Sequence, residues 1–213
     1  YLSTANGNNI ENNTITNARY GIHYMYSNDN LIEGNVLRNN VAGASMMYSK
    51  QIQVIGNEFA YAQSPASGYG ILFRDVDNVT MRDNLIHHNR VGHTMEGVPI
   101  TPGTFFTATR NLIAYNEVGL DMTTTVNGTF SENSIVGNLR QVQTRGGSLA
   151  EKNQWSIEGR GNFCDDYQGY DSNGDGVGDL TFEYESLFHD IVDASPAVRA
   201  YTFTPAQTAL ELA

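Results

Sequence analysis

The sequence predicts an all-β protein, a right-handed parallel β-helix solenoid with coils of about 22 residues. Three observations predict this fold: an asparagine that recurs at a regular spacing, an apolar residue at a fixed distance before it, and alternation of apolar and polar residues. Repeats of this length are typical of solenoids, in which each coil buries its apolar face against its neighbours.

The recurring unit is Asn-x-(Ile/Leu/Phe). Successive asparagines are separated by 22, 22, 27, 27 and 22 residues. The six positions are Asn13, Asn35, Asn57, Asn84, Asn111 and Asn133. An amide side chain can both donate to and accept from the same amide in the next coil, so these residues are expected to form a structural ladder.

The rest of the unit keeps the same register. The residue three positions before each asparagine is apolar: Ile10, Ile32, Val54, Met81, Ala108 and Phe130. A glycine follows eight residues after four of the asparagines: Gly21, Gly43, Gly92 and Gly119. The third coil has five extra residues near 61–65 and the fourth has five near 96–102. Insertions confined to one place in a coil are expected to be loops on a fixed scaffold.

Period-two alternation, as in Val79, Met81 and Asp83, favours strands over helices. We expect three short strands per coil, each stacked on its equivalent at about 4.8 Å. Counted from the glycines, the first and third residues should face inward, and the second and fourth should face outward. The inward set includes His93 and the methionines Met46, Met95 and Met122, whereas His23, Met25, Ser45 and Met47 belong to the outward set.

The 22-residue pattern ends near residue 147. We therefore predict β-helix coils over residues 1–147 and a C-terminal cap over residues 148–213 that contains an Asp-rich loop and tail helices. Helical spacing predicts one short helix over 185–194, ended by Ser195-Pro196, and a second from Pro205 to Leu212.

Composition limits the function classes. The net charge is −11 and only 16% of residues are charged, which argues against a nucleic-acid partner. No apolar run is long enough to cross a membrane. The single cysteine, Cys164, has no internal disulfide partner. Since Tyr1 lies in mid-repeat, we expect the chain to be the C-terminal part of a longer protein.

The Asp-rich loop has the spacing of the beginning of an EF-hand calcium loop, with oxygen ligands at odd positions and glycine at the sixth. The predicted calcium ligands are Asp171, Asn173, Asp175, Val177 through its carbonyl, and Asp179. Phe182 occupies the twelfth position, where a bidentate glutamate is usual, so a Gly/Asp-rich turn without metal stays an alternative.

A second candidate metal site lies on the coils. Met25 and Met47 are expected to be neighbours on the outer face of one sheet, with His23 beside them, and thioether and imidazole groups suit Cu(I). The inward methionines are better explained as core packing. His93 is interpreted as a satisfied inner or rim histidine, and the pair His87-His88 as a solvated corner of the fourth coil.

The segments after the coils carry further motifs: Trp155-Ser156, Gly161-Asn162-Phe163, Tyr167-x-Gly169-Tyr170-Asp171, Asp175 to Asp179, Glu185 to Phe188 and Ser195 to Val198. This block resembles the C-terminal half of the NosD family, the periplasmic maturation proteins of nitrous oxide reductase. The coils resemble that family's β-helix, which is of the carbohydrate-binding/sugar-hydrolase type. Cys164 is a departure, because relatives usually carry tryptophan there.

The resemblance implies a periplasmic protein without enzymatic activity that works with the permease and ATPase of an ABC transporter. It also implies transfer of copper from a lipoprotein copper chaperone to nitrous oxide reductase. Few, exposed, soft ligands suit such a shuttle, so His23, Met25 and Met47 are the hypothesis for a transient Cu(I) site.

The competing interpretation is a carbohydrate-binding or polysaccharide-degrading β-helix module, since tyrosines are plentiful on the coils. A glycosidase needs two carboxylates flanking a groove. The outward candidates are Asp75, Glu96 and Asp121.

Overall fold

The computed structural model describes residues 1–145, 152–167, 169–182, 191, 195–201, 204–206 and 209. These residues form 20 strands, numbered β1 to β20 in chain order, and divide between two compact units, 1–167 and 168–213. The strands of the first unit form three parallel sheets, so the predicted parallel β-helix is confirmed.

Each of the first six coils contributes one strand to each sheet, and the described part of the last coil contributes one to the first sheet and one to the third. The first sheet contains β1 (Leu2–Ser3), β4 (Tyr20–Met25), β7 (Ala42–Met47), β10 (Tyr69–Arg74), β13 (Val91–Glu96), β16 (Val118–Thr123) and β19 (Arg140–Arg145). The second contains β2 (Asn9–Glu11), β5 (Asn30–Glu33), β8 (Lys50–Ile55), β11 (Asp77–Arg82), β14 (Phe106–Thr109) and β17 (Gly128–Ser131). The third contains β3 (Thr14–Thr16), β6 (Val36–Arg38), β9 (Glu58–Ala60), β12 (Leu85–His87), β15 (Leu112–Ala114), β18 (Ser134–Val136) and β20 (Phe163–Cys164).

The predicted asparagine ladder is continuous. The Nδ2 of Asn57 donates to Oδ1 of Asn84 at 3.0 Å, and Asn84 donates in the same way to Asn111 at 2.9 Å. Each buried member also bonds backbone groups; Asn84 donates to the carbonyls of Val54 and Arg82. The ladder extends one step beyond the predicted members, because Asn133 donates to Asn162 at 2.8 Å.

A second ladder lies five residues further along the coils, and it was missed from the sequence. Asn89 donates to Asn116 at 3.2 Å, and Asn116 donates to Asn138 at 2.9 Å. Asn138 ends this ladder with a local bond to Gln141, three residues later, at 2.8 Å. The signal was present as Asn40, Asn89, Asn116 and Asn138, but alanine replaces asparagine at the equivalent positions 18 and 62, which breaks the periodicity.

The core is the interior of the coils. The column three residues before the ladder is buried from the second coil onward, as predicted, and the inward methionines are fully buried. The periodic glycines have a steric cause: a Cβ on Gly43 would lie 2.3 Å from the carbonyl oxygen of Gly70 in the next coil. Side chains are excluded from this column because successive coils approach so closely.

Three corners connect the sheets, and each is made by residues with positive φ. One corner is formed by Asn39, Tyr61, His88 and Tyr115, whose φ angles lie between 55° and 60°. The left-handed region is unusual for aromatic residues, so repetition at one register position shows that the corner geometry is imposed by the stacked coils.

Both predicted insertions are loops. The first lies between β9 and β10, and the second occupies residues 97–105 between β13 and β14. Asp77, which is fully buried, anchors the second loop: its carboxylate accepts the backbone N–H groups of Ile100 and Thr101, both at 2.9 Å, and the hydroxyl of Thr104 at 3.0 Å. Burial opposes ionisation of Asp77, but the bonds from Thr101, Thr104 and Lys50 outweigh it and hold its pKa at about 2.

Residues 152–167 continue the stack within the first unit. Trp155 stacks on Phe130 with ring centroids 4.8 Å apart, and Cys164 in β20 pairs with Ile135. Burial, with the charges of Asp166 and Asp165, raises the pKa of the Cys164 thiol to about 12. The predicted boundary at residue 147 stays a prediction.

The described part of the second unit contains the Asp-rich loop and a 3-10 helix, Pro196–Tyr201. The predicted helix over 185–194 lies outside the described residues apart from Ile191, and the one over 205–212 lies outside them apart from 205, 206 and 209. No helix in the described part of the chain is long and apolar enough to cross a membrane.

Candidate metal sites

The outward methionines are neighbours on the first sheet. Met25 of β4 lies opposite Met47 of β7 in the parallel register, and His23 lies opposite Ser45. Both methionines and His23 are partly buried. Ser45, which is expected to face outward, is nevertheless fully buried. Alternation predicts the direction of a side chain relative to the coil core but does not predict its exposure.

His23 lies in an aromatic environment. Its ring centroid is 4.9 Å from that of Tyr1 and 4.7 Å from that of Tyr20, and its buried Nε2 has no hydrogen-bond partner. The hydroxyl of Tyr1 donates to Sδ of Met25 at 3.6 Å. Burial lowers the pKa of His23, and the positive charge of Arg19 adds to this effect. The imidazole is therefore held neutral, the form in which histidine coordinates a metal.

The Asp-rich loop is organised by its own backbone. The carboxylate of Asp171 accepts N–H groups from Gly174 at 2.7 Å and Gly176 at 2.8 Å, and Oδ1 of Asp175 accepts that of Val177 at 2.8 Å. Asn173 accepts the N–H of Asp175 at 2.9 Å, and Asp179 accepts that of Ser172 at 2.8 Å.

These carboxylates do not converge in this arrangement. Across the described residues, no three His, Cys, Asp or Glu side chains are grouped as a metal site requires. The hydrogen bonds keep Asp171, Asp175 and Asp179 engaged with backbone groups, and calcium binding by this loop stays a prediction.

His93 is an inner residue, as predicted, but it is not satisfied. It is fully buried, and neither ring nitrogen has a hydrogen-bond partner. Phe73 and Phe106 pack against it with ring centroids 5.4 Å and 5.5 Å away. Burial lowers the pKa of His93 to about 3.

The prediction of a solvated corner at His87-His88 is wrong for His87, whose side chain is only 14% exposed. Its Nδ1 lies 2.7 Å from Nδ1 of His88, and its Nε2 lies 2.9 Å from Oε1 of Glu58. Sequence reasoning missed Glu58 altogether, because it precedes His87 by 29 residues and meets it only when the third and fourth coils stack.

The acidic residues considered for an enzyme are largely paired. Glu96 forms an ion pair with Arg74, and Asp121 lies 3.4 Å from Arg145. Asp121 is buried, which raises its pKa while the charge of Arg145 opposes that rise. Asp75 occupies a corner position with φ 51°.

The family model described as "Periplasmic copper-binding protein (NosD)" matches residues 1–169. The chain belongs to the NosD family.

Two curated relatives agree with this assignment. A "Probable ABC transporter binding protein NosD" from Stutzerimonas stutzeri is 32% identical over 166 residues, which is 72% of this chain and 36% of the relative. A protein of the same name from Pseudomonas aeruginosa is 27% identical over 147 residues, 64% of this chain and 34% of the relative. This NosD-family chain thus spans about a third of the length of these relatives.

Proposed function

We propose that this NosD-family chain handles copper in the periplasm as part of an accessory protein of an ABC transporter, for maturation of nitrous oxide reductase. The family description supports copper binding and a periplasmic location. The names of the relatives support an association with an ABC transporter. The partners proposed are the transporter's permease and ATPase, a lipoprotein copper chaperone as donor, and nitrous oxide reductase as acceptor.

The observation that carries the proposal is the pairing of Met25 with Met47 beside the neutral His23. Two thioethers and an imidazole form a soft ligand set that suits Cu(I). The orphaned Nε2 of His23 fits this role, because a buried ring nitrogen without a partner is costly unless something binds it. Partial burial leaves the methionines accessible to a donor or acceptor protein.

The test is an anaerobic Cu(I) titration against a competing chelator. We expect Met25→Ala and Met47→Ala each to weaken binding about tenfold, or about 1.4 kcal/mol. Met46→Leu is the matched control, since Met46 lies next to Met47 but faces the core, and it should leave the affinity unchanged. Equal affinities for all three variants and the parent protein would contradict this site.

A second candidate function, carbohydrate binding, is favoured by one surface feature. Tyr26 and Tyr48 are exposed at successive corners and stack with ring centroids 5.1 Å apart. Exposed aromatic rings offer apolar faces for sugars. Retention on an immobilised polysaccharide that is lost with Tyr48→Ala would support this function over copper handling, provided that Cu(I) binding is absent.

A further inference from the structure

The His87-His88 corner brings two ring nitrogens together. His87 ends β12, and His88 follows it in the left-handed corner conformation. The two Nδ1 atoms approach to 2.7 Å. Adjacent residues on a regular strand point to opposite faces, so this convergence depends on the turn at the corner.

The contact made by Nε2 of His87 determines which ring nitrogen carries the proton in the neutral form. Nε2 lies 2.9 Å from Oε1 of Glu58 and must donate its proton to that carboxylate, so the neutral ring has a lone pair on Nδ1. Glu58 is itself held by Arg38, whose guanidinium lies 2.7 Å from the carboxylate. A histidine that donates its second N–H to a carboxylate has the usual arrangement of a metal ligand.

His88 is held in place by rings from the adjacent coils. Its centroid lies 5.2 Å from that of Tyr61 and 5.3 Å from that of Tyr115, which occupy the same corner position in the coils on either side. Without metal, Nδ1 of His88 donates to His87. Because His88 is exposed, its proton can move to Nε2 and be hydrogen-bonded by water, which frees Nδ1 as a second ligand.

Imidazole nitrogens are common ligands of Cu(II), Ni(II) and Zn(II), and Cu(II) forms the most stable complexes of the three. Cu(II) prefers a tetragonal arrangement, in which two imidazole nitrogens can be neighbouring ligands. The present separation of 2.7 Å is that of an N–H···N hydrogen bond, in which the two nitrogens point at each other. Metal binding therefore requires the exposed ring of His88 to turn until both lone pairs meet at the metal.

We propose that His87 and His88 together bind Cu(II) through their Nδ1 atoms, with water completing the tetragonal coordination. Glu58 orients His87, and Tyr61 and Tyr115 hold the ring of His88. Binding moves one proton between the two nitrogens of His88 and involves no change of oxidation state. The site shares no ligand with His23, Met25 and Met47, so it does not depend on the Cu(I) proposal.

The test is aerobic titration with Cu(II) alone, followed by electron paramagnetic resonance. We expect a tetragonal Cu(II) signal with nitrogen hyperfine splitting that His87→Ala or His88→Ala removes. Glu58→Gln keeps the hydrogen bond to His87 but lacks the charge, and it should weaken binding about tenfold. Leu112→Ala, at an exposed position on the neighbouring strand β15, is the control and should leave the signal unchanged.

His88→Ala is the decisive variant, because His88 is exposed and its loss should leave the fold intact by circular dichroism. Absence of the signal in the parent protein, or its persistence in His88→Ala, would overturn the proposal. Either result would leave the anaerobic Cu(I) titration, which reports on Met25 and Met47, unaffected.

Discussion

His93 is the residue whose environment is least compatible with charge. It lies in the coil interior between Phe73 and Phe106, with both ring nitrogens unpaired. A buried polar group without a partner costs about 1–3 kcal/mol. Protonation would place an unpaired charge in the same apolar interior, which is more costly still.

Because of this residue, the free energy of unfolding should decrease as the pH is lowered. In the unfolded chain His93 binds a proton below its ordinary pKa of 6.5, whereas in the folded protein it stays neutral down to about 3. Its contribution to the free energy of unfolding is complete above pH 6.5. That contribution is lost as the pH falls towards 3, at up to about 1.4 kcal/mol per pH unit.

Urea unfolding between pH 7.5 and 5 measures this effect. His93→Leu, which matches the neighbouring Leu120 in the same column, should reduce the pH dependence. His88→Ala is the control and should retain that of the parent protein. If His93→Leu kept the full pH dependence, the loss would have to come from other groups.

At the scale of the element, the asparagine ladder contributes most specifically to coil stacking. Asn84 accepts the backbone N–H and the side-chain amide of Asn57, and donates to two carbonyls and to Asn111. Asn13, in the first coil, has the same sequence context but is exposed and donates only to Glu11 and Asn35.

We expect Asn84→Ala to lower the free energy of unfolding by about 3 kcal/mol, because it orphans buried backbone groups. Asn13→Ala, at an exposed position, should cost less than about 1 kcal/mol. Chemical denaturation of both variants measures the difference. Equal losses would show that the ladder's contribution does not depend on burial.

At the scale of the whole molecule, stability within the described part of residues 1–167 should be highest in the stacked strands. Strands pair with their equivalents in the neighbouring coils. Ile32 and Leu37 on the strands are buried, whereas Gln63 and Ala66 in the loop between β9 and β10 are exposed. Local opening is therefore expected to begin in this loop.

Native-state hydrogen exchange tests this difference. Amides of the strands β7, β10 and β13 should exchange more slowly than those of the loop over residues 61–68. If the loop exchanged as slowly as the strands, it would open only together with the whole stack.

The sequence by itself determined the architecture of this protein. A side chain that recurs every 22 or 27 residues meets its own kind in the next coil, so the repeat predicts the stacking, the Asn84 ladder, the pairing of Met25 with Met47 and the positions of both insertion loops. The second ladder, through Asn89, would also have been predictable if alanines at 18 and 62 had not interrupted its period.

Only the tertiary structure decided the contacts between different columns. Two such contacts are the bond of His87 to Glu58 and the bonds by which four residues hold Asp77. The burial of Ser45 and the unpaired state of His93 likewise follow no period of the sequence. Such contacts depend on rotamers, on corner geometry and on where a loop folds back. The sequence repeat specifies which residues stack on one another. Which residues of different columns come into contact depends on how the backbone of the whole coil folds.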